Sequence, residues 1–207
     1  MARGRFISLE GGEGVGKSTQ LAALSEALAA RGIDLVRTRE PGGSDGAERI
    51  RELLLTGAED RWCAESEALL FAAARTDHVD KVIRPALLAG KWVLSDRFID
   101  SSLAYQGGAG GLGIEAVRAI NAFGIDQWFP DRTLILALAE GGIRASARDA
   151  DGSDRIGGRP EAYHQSVDLA FRQIAADEPG RVRLIDASGD PAAVTARLMS
   201  ALADLLP

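Results

Sequence analysis

The stretch EGGEGVGKST at residues 10–19 decides the fold class of this chain. It follows an apolar run, RFISL at 5–9, that is typical of a strand, and it precedes a helical pattern. Four of its residues fit the pattern G-x-x-x-x-G-K-[ST]: Gly11, Gly16, Lys17 and Ser18. In such a loop the glycines let backbone N–H groups turn toward phosphates, the lysine reaches the β- and γ-phosphates, and the hydroxyl binds Mg²⁺. The sequence therefore predicts a site for ATP or GTP.

The whole loop and the first turn of the next helix are expected to surround the nucleotide. The positive end of the helix dipole adds to the attraction for phosphate. The residues predicted to bind ATP in this way are Gly11, Gly12, Glu13, Gly14, Val15, Gly16, Lys17, Ser18 and Thr19.

Short apolar runs alternate with longer helical patterns along the rest of the chain. The predicted strands are 5–9, 34–38, 91–95, 132–138 and 181–186. The predicted helices are 17–31, 46–56, 65–89, 113–123, 160–176 and 190–206, with Pro85 expected to kink or end the third near Arg84. Apolar strands alternating with helices are typical of a parallel sheet covered on both faces. The sequence thus predicts an α/β fold of three layers, with five parallel strands, in a single domain over 1–207.

Composition narrows the functional classes. The net charge is -6, from 24 Lys+Arg against 30 Asp+Glu, which disfavours a general nucleic-acid binder. Cys63 is the only cysteine, which excludes an intrachain disulfide and favours a reducing compartment. The longest apolar run, TLILALA at 133–139, is far shorter than the ~20 residues of a membrane-spanning helix. We therefore expect a cytoplasmic protein with no membrane or nucleic-acid partner.

The fate of the nucleotide depends on features outside the loop. No N-K-x-D guanine reader occurs, which disfavours a signalling GTPase. A motor or AAA-type ATPase would normally need a longer chain. A small kinase acting on a small acceptor fits best.

Three clusters bear on the acceptor. The first two follow predicted strands at the edge where open α/β sheets bind ligands: TREPGG at 38–43 and SDRFIDSSLAYQGG at 95–108. The third, LLFAAARTDH at 69–78, sets Phe71 and Arg75 one helical turn apart, so that a ring and a guanidinium share a face. Each cluster also has a structural interpretation: a solvated loop, an ion pair at a strand end, and a core phenylalanine beside a surface arginine.

Together these clusters resemble the thymidylate kinases of the bacterial type. EGGEGVGKST, TREPGG, FAAAR, DRFIDSSLAYQG and LIDAS (184–188) occur in that family's order and spacing, and the resemblance runs from about residue 4 to the C-terminus. It implies a P-loop kinase fold with a mobile lid at about 144–160, and transfer of the γ-phosphate of ATP to dTMP, giving dTDP. It also implies Mg²⁺ as cofactor and a homodimer.

The resemblance assigns roles residue by residue. Phe71 would stack on thymine, Arg75 would hydrogen-bond it, and Arg39 and Arg97 would hold the dTMP phosphate. The remaining residues of the dTMP site would be Pro41, Ser102, Tyr105 and Gln106. Ser18 and Asp96 would serve the metal. The catalytic residues would be Lys17, Arg97, Glu13, Arg148 and Arg155, with Arg144 nearer the adenine. His78 and His164 are expected on solvated helix surface.

Two other hypotheses stay open at this stage. The chain could be a P-loop kinase for another nucleoside monophosphate or for a deoxynucleoside, whose hydroxyl would need a base such as Glu13 or Asp96. It could also be a protein that binds ATP without turning it over. A panel of acceptors separates the three.

Overall fold

The computed structural model describes residues 3–138 and 154–207 of the chain. The five strands are β1 (Phe6–Gly11), β2 (Leu35–Arg39), β3 (Trp92–Asp96), β4 (Arg132–Ala137) and β5 (Val182–Asp186). The α-helices in the described ranges are α1 (Lys17–Ala29), α2 (Asp45–Leu55), α3 (Ala64–His78), α4 (Arg84–Leu88), α5 (Ile99–Ser102), α6 (Ile114–Ile125), α7 (Glu161–Asp177) and α8 (Pro191–Ser200).

The strands form one parallel sheet in the order β2-β3-β1-β4-β5. β1 lies at its centre, where Leu9 pairs with Asp96 of β3 and Gly11 pairs with Leu136 of β4. Because all strands run the same way, the loops that follow β1, β2 and β3 emerge at one edge. That edge is where the sequence placed the phosphate loop and two of the acceptor clusters.

Helices cover both faces of the sheet, and each face has its own hydrophobic core. Alternate residues of β1 enter opposite cores: Phe6 packs with α6 and α7 on one side, and Ile7 packs with α1 and α8 on the other. Both side chains are fully buried, as expected for a strand covered on two faces. The predicted α/β fold with three layers and five parallel strands is confirmed.

The helical pattern predicted over 65–89 is divided in the structure. α3 ends at His78, a π-helical turn covers Val79–Ile83, and α4 begins at Arg84 with Pro85 in its first turn. Proline has no N–H to bond the preceding turn, and its ring crowds the carbonyl four residues earlier. The wider turn before Pro85 is where the helix accommodates both effects.

One helical region was missed by the sequence analysis. The segment after β3 forms α5 and then a π-helical stretch, Leu103–Ala109. Its glycine pair and serines gave no helical period, yet its side chains are almost all buried. Tertiary contact with α7 and α6 rather than local propensity therefore holds it in place.

Candidate active site

A cavity of about 430 Å³ opens at the carboxyl edge of the sheet. It is lined by residues from all three acceptor clusters and from the loop after β1. The lining residues that the sequence predicted are Glu13, Gly14, Gly16, Lys17, Ser18, Thr19, Arg39, Pro41, Phe71, Arg75, Asp96, Arg97, Ser102, Tyr105 and Gln106. The structure thus brings the predicted nucleotide loop and the predicted acceptor residues into one chamber.

The loop after β1 needs glycine at two of its positions. Gly11 has φ 136, and a Cβ there would meet the carbonyl oxygen of Leu136 at 2.5 Å. Gly16 has φ 99, a left-handed conformation that side chains rarely adopt, directly before α1 begins at Lys17. Val15 lies in the core beneath the loop. The backbone is therefore free to wrap an anion at the start of α1.

Lys17 is pre-positioned by the loop itself. Its Nζ donates to the carbonyl oxygens of Gly12 at 2.6 Å and Gly11 at 3.1 Å. Burial, together with the nearby charge of Arg97, lowers the pKa of this lysine from 10.5 to about 8. A cation held in a buried site by neutral carbonyls is suited to a polyanion, whose charge would offset its desolvation.

Arg97 contacts both the nucleotide loop after β1 and the acceptor cluster at 95–108. Its Nη1 donates to the carbonyl oxygen of Gly11 at 3.0 Å and to Ser101 Oγ at 3.1 Å. Its Nη2 donates to Glu13 Oε1 at 2.6 Å and to the Tyr105 hydroxyl at 3.2 Å. The Arg97 guanidinium lowers the pKa of Glu13 to about 2. An anionic acceptor that bound to Arg97 would therefore compete with the Glu13 carboxylate.

Asp96 carries the feature that best fits a divalent cation. Its Oδ1 is buried and makes no hydrogen bond within the described ranges 3–138 and 154–207. Ser18, in the first turn of α1, lines the same cavity. Among the described residues, no group of three or more His, Cys, Asp or Glu side chains is arranged so that it could hold a metal ion. This sparse donor set fits Mg²⁺, which is usually held by one or two protein ligands together with phosphate oxygens and water.

The Arg75 side chain is buried and is held by hydrogen bonds to four groups of the protein. It is 2% exposed, and its guanidinium donates to Glu40 Oε2 at 2.8 Å and to Ser102 Oγ at 3.0 Å. It also donates to Asn121 Oδ1 at 2.6 Å and to the Phe98 carbonyl at 3.1 Å. Arg75 therefore forms part of the cavity wall, pre-organised by buried partners.

The expectation that both histidines lie on solvated surface was wrong. His78 is fully buried: its Nδ1 lies 2.9 Å from Glu40 Oε1 and its Nε2 lies 2.6 Å from Thr38 Oγ1. His164 is 6% exposed, with Nε2 3.2 Å from the carbonyl oxygen of Gly157. Helical spacing alone did not show that α3 and α7 would place these faces inward.

Arg155 does not lie where the sequence analysis expected it. Its side chain is 1% exposed and its Nη2 lies 2.5 Å from Glu67 Oε2. Its other donors go to the carbonyl oxygens of Leu54 and Glu59. The guanidinium is thus bound by protein groups, and Arg155 does not line the cavity described above. Its part in phosphate transfer remains a prediction, as do those of Arg144 and Arg148, which lie outside the described residues.

The cavity has further lining residues that the sequence analysis missed. Arg51 of α2 donates to the carbonyl oxygen of Pro41 at 2.7 Å and adds a cation beside Arg39. Ser101 donates to Glu10 Oε2 at 2.6 Å. Glu10 is fully buried, and burial raises its pKa from 4.5 to about 8. Ser101 lay inside a quoted cluster and could have been found, whereas nothing in the sequence distinguishes Arg51 from other helix-surface arginines.

Comparison with known proteins gives a consistent result. Residues 9–198 match the family described as thymidylate kinase. The chain is 62% identical over 206 residues to a thymidylate kinase of Rhizorhabdus wittichii, covering 99% of each chain. It is 51% identical over 209 residues to one of Bradyrhizobium diazoefficiens, covering 99% of this chain and 92% of the relative. A crystal structure of thymidylate kinase from Ehrlichia chaffeensis superposes with a TM-score of 0.77 at 32% identity, covering 97% of this chain and 99% of the other.

Proposed function

Because the chain belongs to the thymidylate kinase family, we propose that its cavity is where the γ-phosphate of ATP is transferred to dTMP, giving dTDP. One observation carries the proposal. The carbonyl oxygen of Gly11 accepts hydrogen bonds from both Lys17 Nζ, at 3.1 Å, and Arg97 Nη1, at 3.0 Å. Lys17, from the nucleotide loop, and Arg97, from the acceptor cluster, therefore lie beside the same carbonyl oxygen. We propose that the γ-phosphate of ATP and the phosphate of dTMP approach each other next to these two cations.

The chemistry requires positive charge more than a proton acceptor. The attacking group is a phosphate oxygen that is largely ionised at neutral pH, so no base has to be supplied. The main obstacle is repulsion between two anions brought into line, which fixed cations and aligned donors reduce. We assign the ATP phosphates to Lys17 and the loop, and the dTMP phosphate to Arg97 with Arg39 and Arg51.

We assign the base side of dTMP to the opposite wall. Phe71 offers a ring face, and Arg75, Ser102 and Gln106 offer fixed polar groups around it. Tyr105 lies between base and phosphate sides, with its hydroxyl donating to Glu13 Oε1 at 3.1 Å. That position suits a steric barrier to a ribose 2′-hydroxyl.

We propose that Ser18 and Asp96 serve Mg²⁺ bound with ATP. The ion would neutralise charge on the β- and γ-phosphates. The Asp96 carboxylate, whose buried Oδ1 has no partner within the described residues, would orient it directly or through water. Ser18 would supply its hydroxyl from the start of α1.

An acceptor panel tests the proposed function. Purified protein with ATP and Mg²⁺ is assayed against dTMP, dUMP, UMP, CMP and thymidine, with kcat/KM measured for each. We expect dTMP to have the highest value. A preference for thymidine would indicate a deoxynucleoside kinase, and ATP binding without turnover of any acceptor would indicate a binding protein.

We also propose that the protein is a homodimer formed through α3 and α6. Phe123 of α6 is 95% exposed and Leu69 of α3 is 57% exposed. The two helices pack closely, because a Cβ on Gly124 would meet Thr76 Oγ1 at 1.8 Å. Large apolar side chains exposed on two adjoining helices are typical of a surface that another subunit covers.

Phe123→Asp is expected to convert the dimer to a monomer, because a carboxylate cannot be buried there without a partner. Light scattering after size exclusion measures the mass, which should fall from that of two chains to that of one. Leu169→Asp on α7, where the leucine is 67% exposed, is the matched control and should leave the mass unchanged. A dimer that survives Phe123→Asp would place the interface elsewhere.

The last proposal concerns where in the cell the enzyme works. No helix among the described residues is both long and apolar enough to cross a bilayer. We propose that the enzyme works in the cytoplasm, where its nucleotide substrates are found.

A further inference from the structure

Glu67 is a buried carboxylate that none of the assigned roles uses. It lies in α3, one helical turn before Phe71, and is 3% exposed. Its Oε1 accepts a hydrogen bond from Gln106 Nε2 at 3.0 Å. Its Oε2 accepts from Arg155 at 2.5 Å and from Arg159 at 2.7 Å. A carboxylate buried at this depth is costly unless it is fully paired, so this arrangement is specific rather than incidental.

The contact with Gln106 fixes which end of the amide faces which way. A side-chain amide has a donor end and an acceptor end, and an ionised carboxylate only accepts. The Nε2 of Gln106 is therefore held toward Glu67, which leaves Oε1 as the group that faces a ligand in the cavity that Gln106 lines. Turning the amide over would set oxygen against oxygen inside a buried site.

We infer that Glu67 is a positioning residue for base selection, acting through Gln106. With its amide fixed, Gln106 presents a hydrogen-bond acceptor. A pyrimidine that carries a hydrogen on N3, such as thymine or uracil, can donate to it. Cytosine has an unprotonated N3 and would meet it with a second acceptor. This inference rests on the acceptor site proposed above.

The two arginines support the same role. Both come from the segment that follows residue 153 and converge on one oxygen of Glu67, which leaves the other oxygen for the amide. Arg159 also donates to the Tyr163 hydroxyl at 2.5 Å and stacks over that ring, and Tyr163 in turn donates to the carbonyl oxygen of Tyr105 at 2.9 Å. Glu67 is thus fixed by two cations that are themselves anchored, so it cannot rotate to follow Gln106.

The test compares two acceptors in one preparation. For the unaltered protein and for Glu67→Gln, kcat/KM is measured with dTMP and with dCMP. The ratio of the two values cancels the fraction of active protein, so partial misfolding does not affect it. Glu67→Gln can both donate and accept, which frees Gln106 to turn its Nε2 toward N3 of cytosine. We expect the preference for dTMP over dCMP to fall by about tenfold or more.

Three further variants make the result specific. Glu65→Gln, on the exposed side of the same helix, should leave the ratio unchanged. Glu67→Asp keeps the charge for the arginines but withdraws the acceptor from Gln106 by about 1.5 Å, the length of one C–C bond. It should lower the ratio even if Glu67→Gln does not fold. Glu67→Gln added to Gln106→Met should change the ratio no further, because the effect passes through the amide.

Three results would contradict the inference, and each has a different meaning. If Glu67→Gln or Glu67→Asp lowers kcat/KM for both nucleotides equally and leaves the ratio intact, Glu67 only holds the fold and the inference is wrong. If the ratio falls equally with and without Gln106, the route through the amide is wrong. If the unaltered protein does not phosphorylate dTMP at all, the proposed function fails, and the inference fails with it.

Discussion

Arg97→Met is expected to lower kcat for dTMP phosphorylation by about 10³-fold, the scale on which cations that stabilise a transferring phosphoryl group act. The guanidinium is the group through which the acceptor side of the cavity reaches the phosphate loop, by way of the carbonyl oxygen of Gly11. Without it, the repulsion between the dTMP phosphate and ATP would be unscreened at the point of attack. Steady-state kinetics with saturating ATP measure the change.

Two controls accompany this variant: one tests whether positive charge alone restores kcat, and the other tests whether removing an exposed arginine affects it. Arg97→Lys keeps the charge but loses the planar fork that serves several partners at once, so it should recover only part of kcat. Arg49→Met removes an arginine whose side chain is 81% exposed on α2, and it should leave kcat unchanged.

Glu13 provides a readout that does not depend on turnover. Arg97 is the main cause of its pKa being lowered to about 2, so Arg97→Met should raise that pKa toward the ordinary value of 4.5. Titration of the carboxyl by NMR measures it. If kcat stayed within threefold of the original while the Glu13 pKa rose, Arg97 would be a partner of Glu13 and not a catalytic residue.

The sequence was sufficient to predict the parts of the site that depend on local pattern. The phosphate loop follows from glycine spacing between a strand and a helix, and the gathering of Arg39, Asp96 and Arg97 follows from parallel strands ending at one edge. Each predicted strand was found within about two residues of its predicted bounds. These features are fixed by backbone geometry, which short stretches of sequence encode directly.

The features that were missed depend on contacts between distant segments. One hydrogen-bonded chain joins the half-buried Thr38 to three buried side chains, those of His78, Glu40 and Arg75. Its members come from β2, the loop after it and α3. A histidine three residues after a helix arginine gives no sign of which neighbour will bury it. The same holds for Arg155, whose partner Glu67 is 88 residues away. Burial of polar side chains is a property of the assembled fold, and the sequence pattern carries little of it.

Lys17→Met should lower kcat/KM for ATP by about 10³-fold or more, because a buried cation preset toward the phosphates would be replaced by a neutral chain. Lys81→Met, which removes a lysine whose side chain is 63% exposed, is the control and should have no effect.

In the unaltered protein, the affinity for ATP should also depend on pH through Lys17. The free Lys17 pKa is about 8, and bound phosphate would raise it, so ATP affinity is highest below pH 8 and falls as the pH rises through that value. Calorimetry at pH 8 in buffers of different ionisation enthalpy should therefore detect proton uptake on ATP binding, and Lys17→Met should abolish it. Equal proton uptake in the variant would show that another group takes up the proton and that the pKa of Lys17 does not change from about 8 on ATP binding.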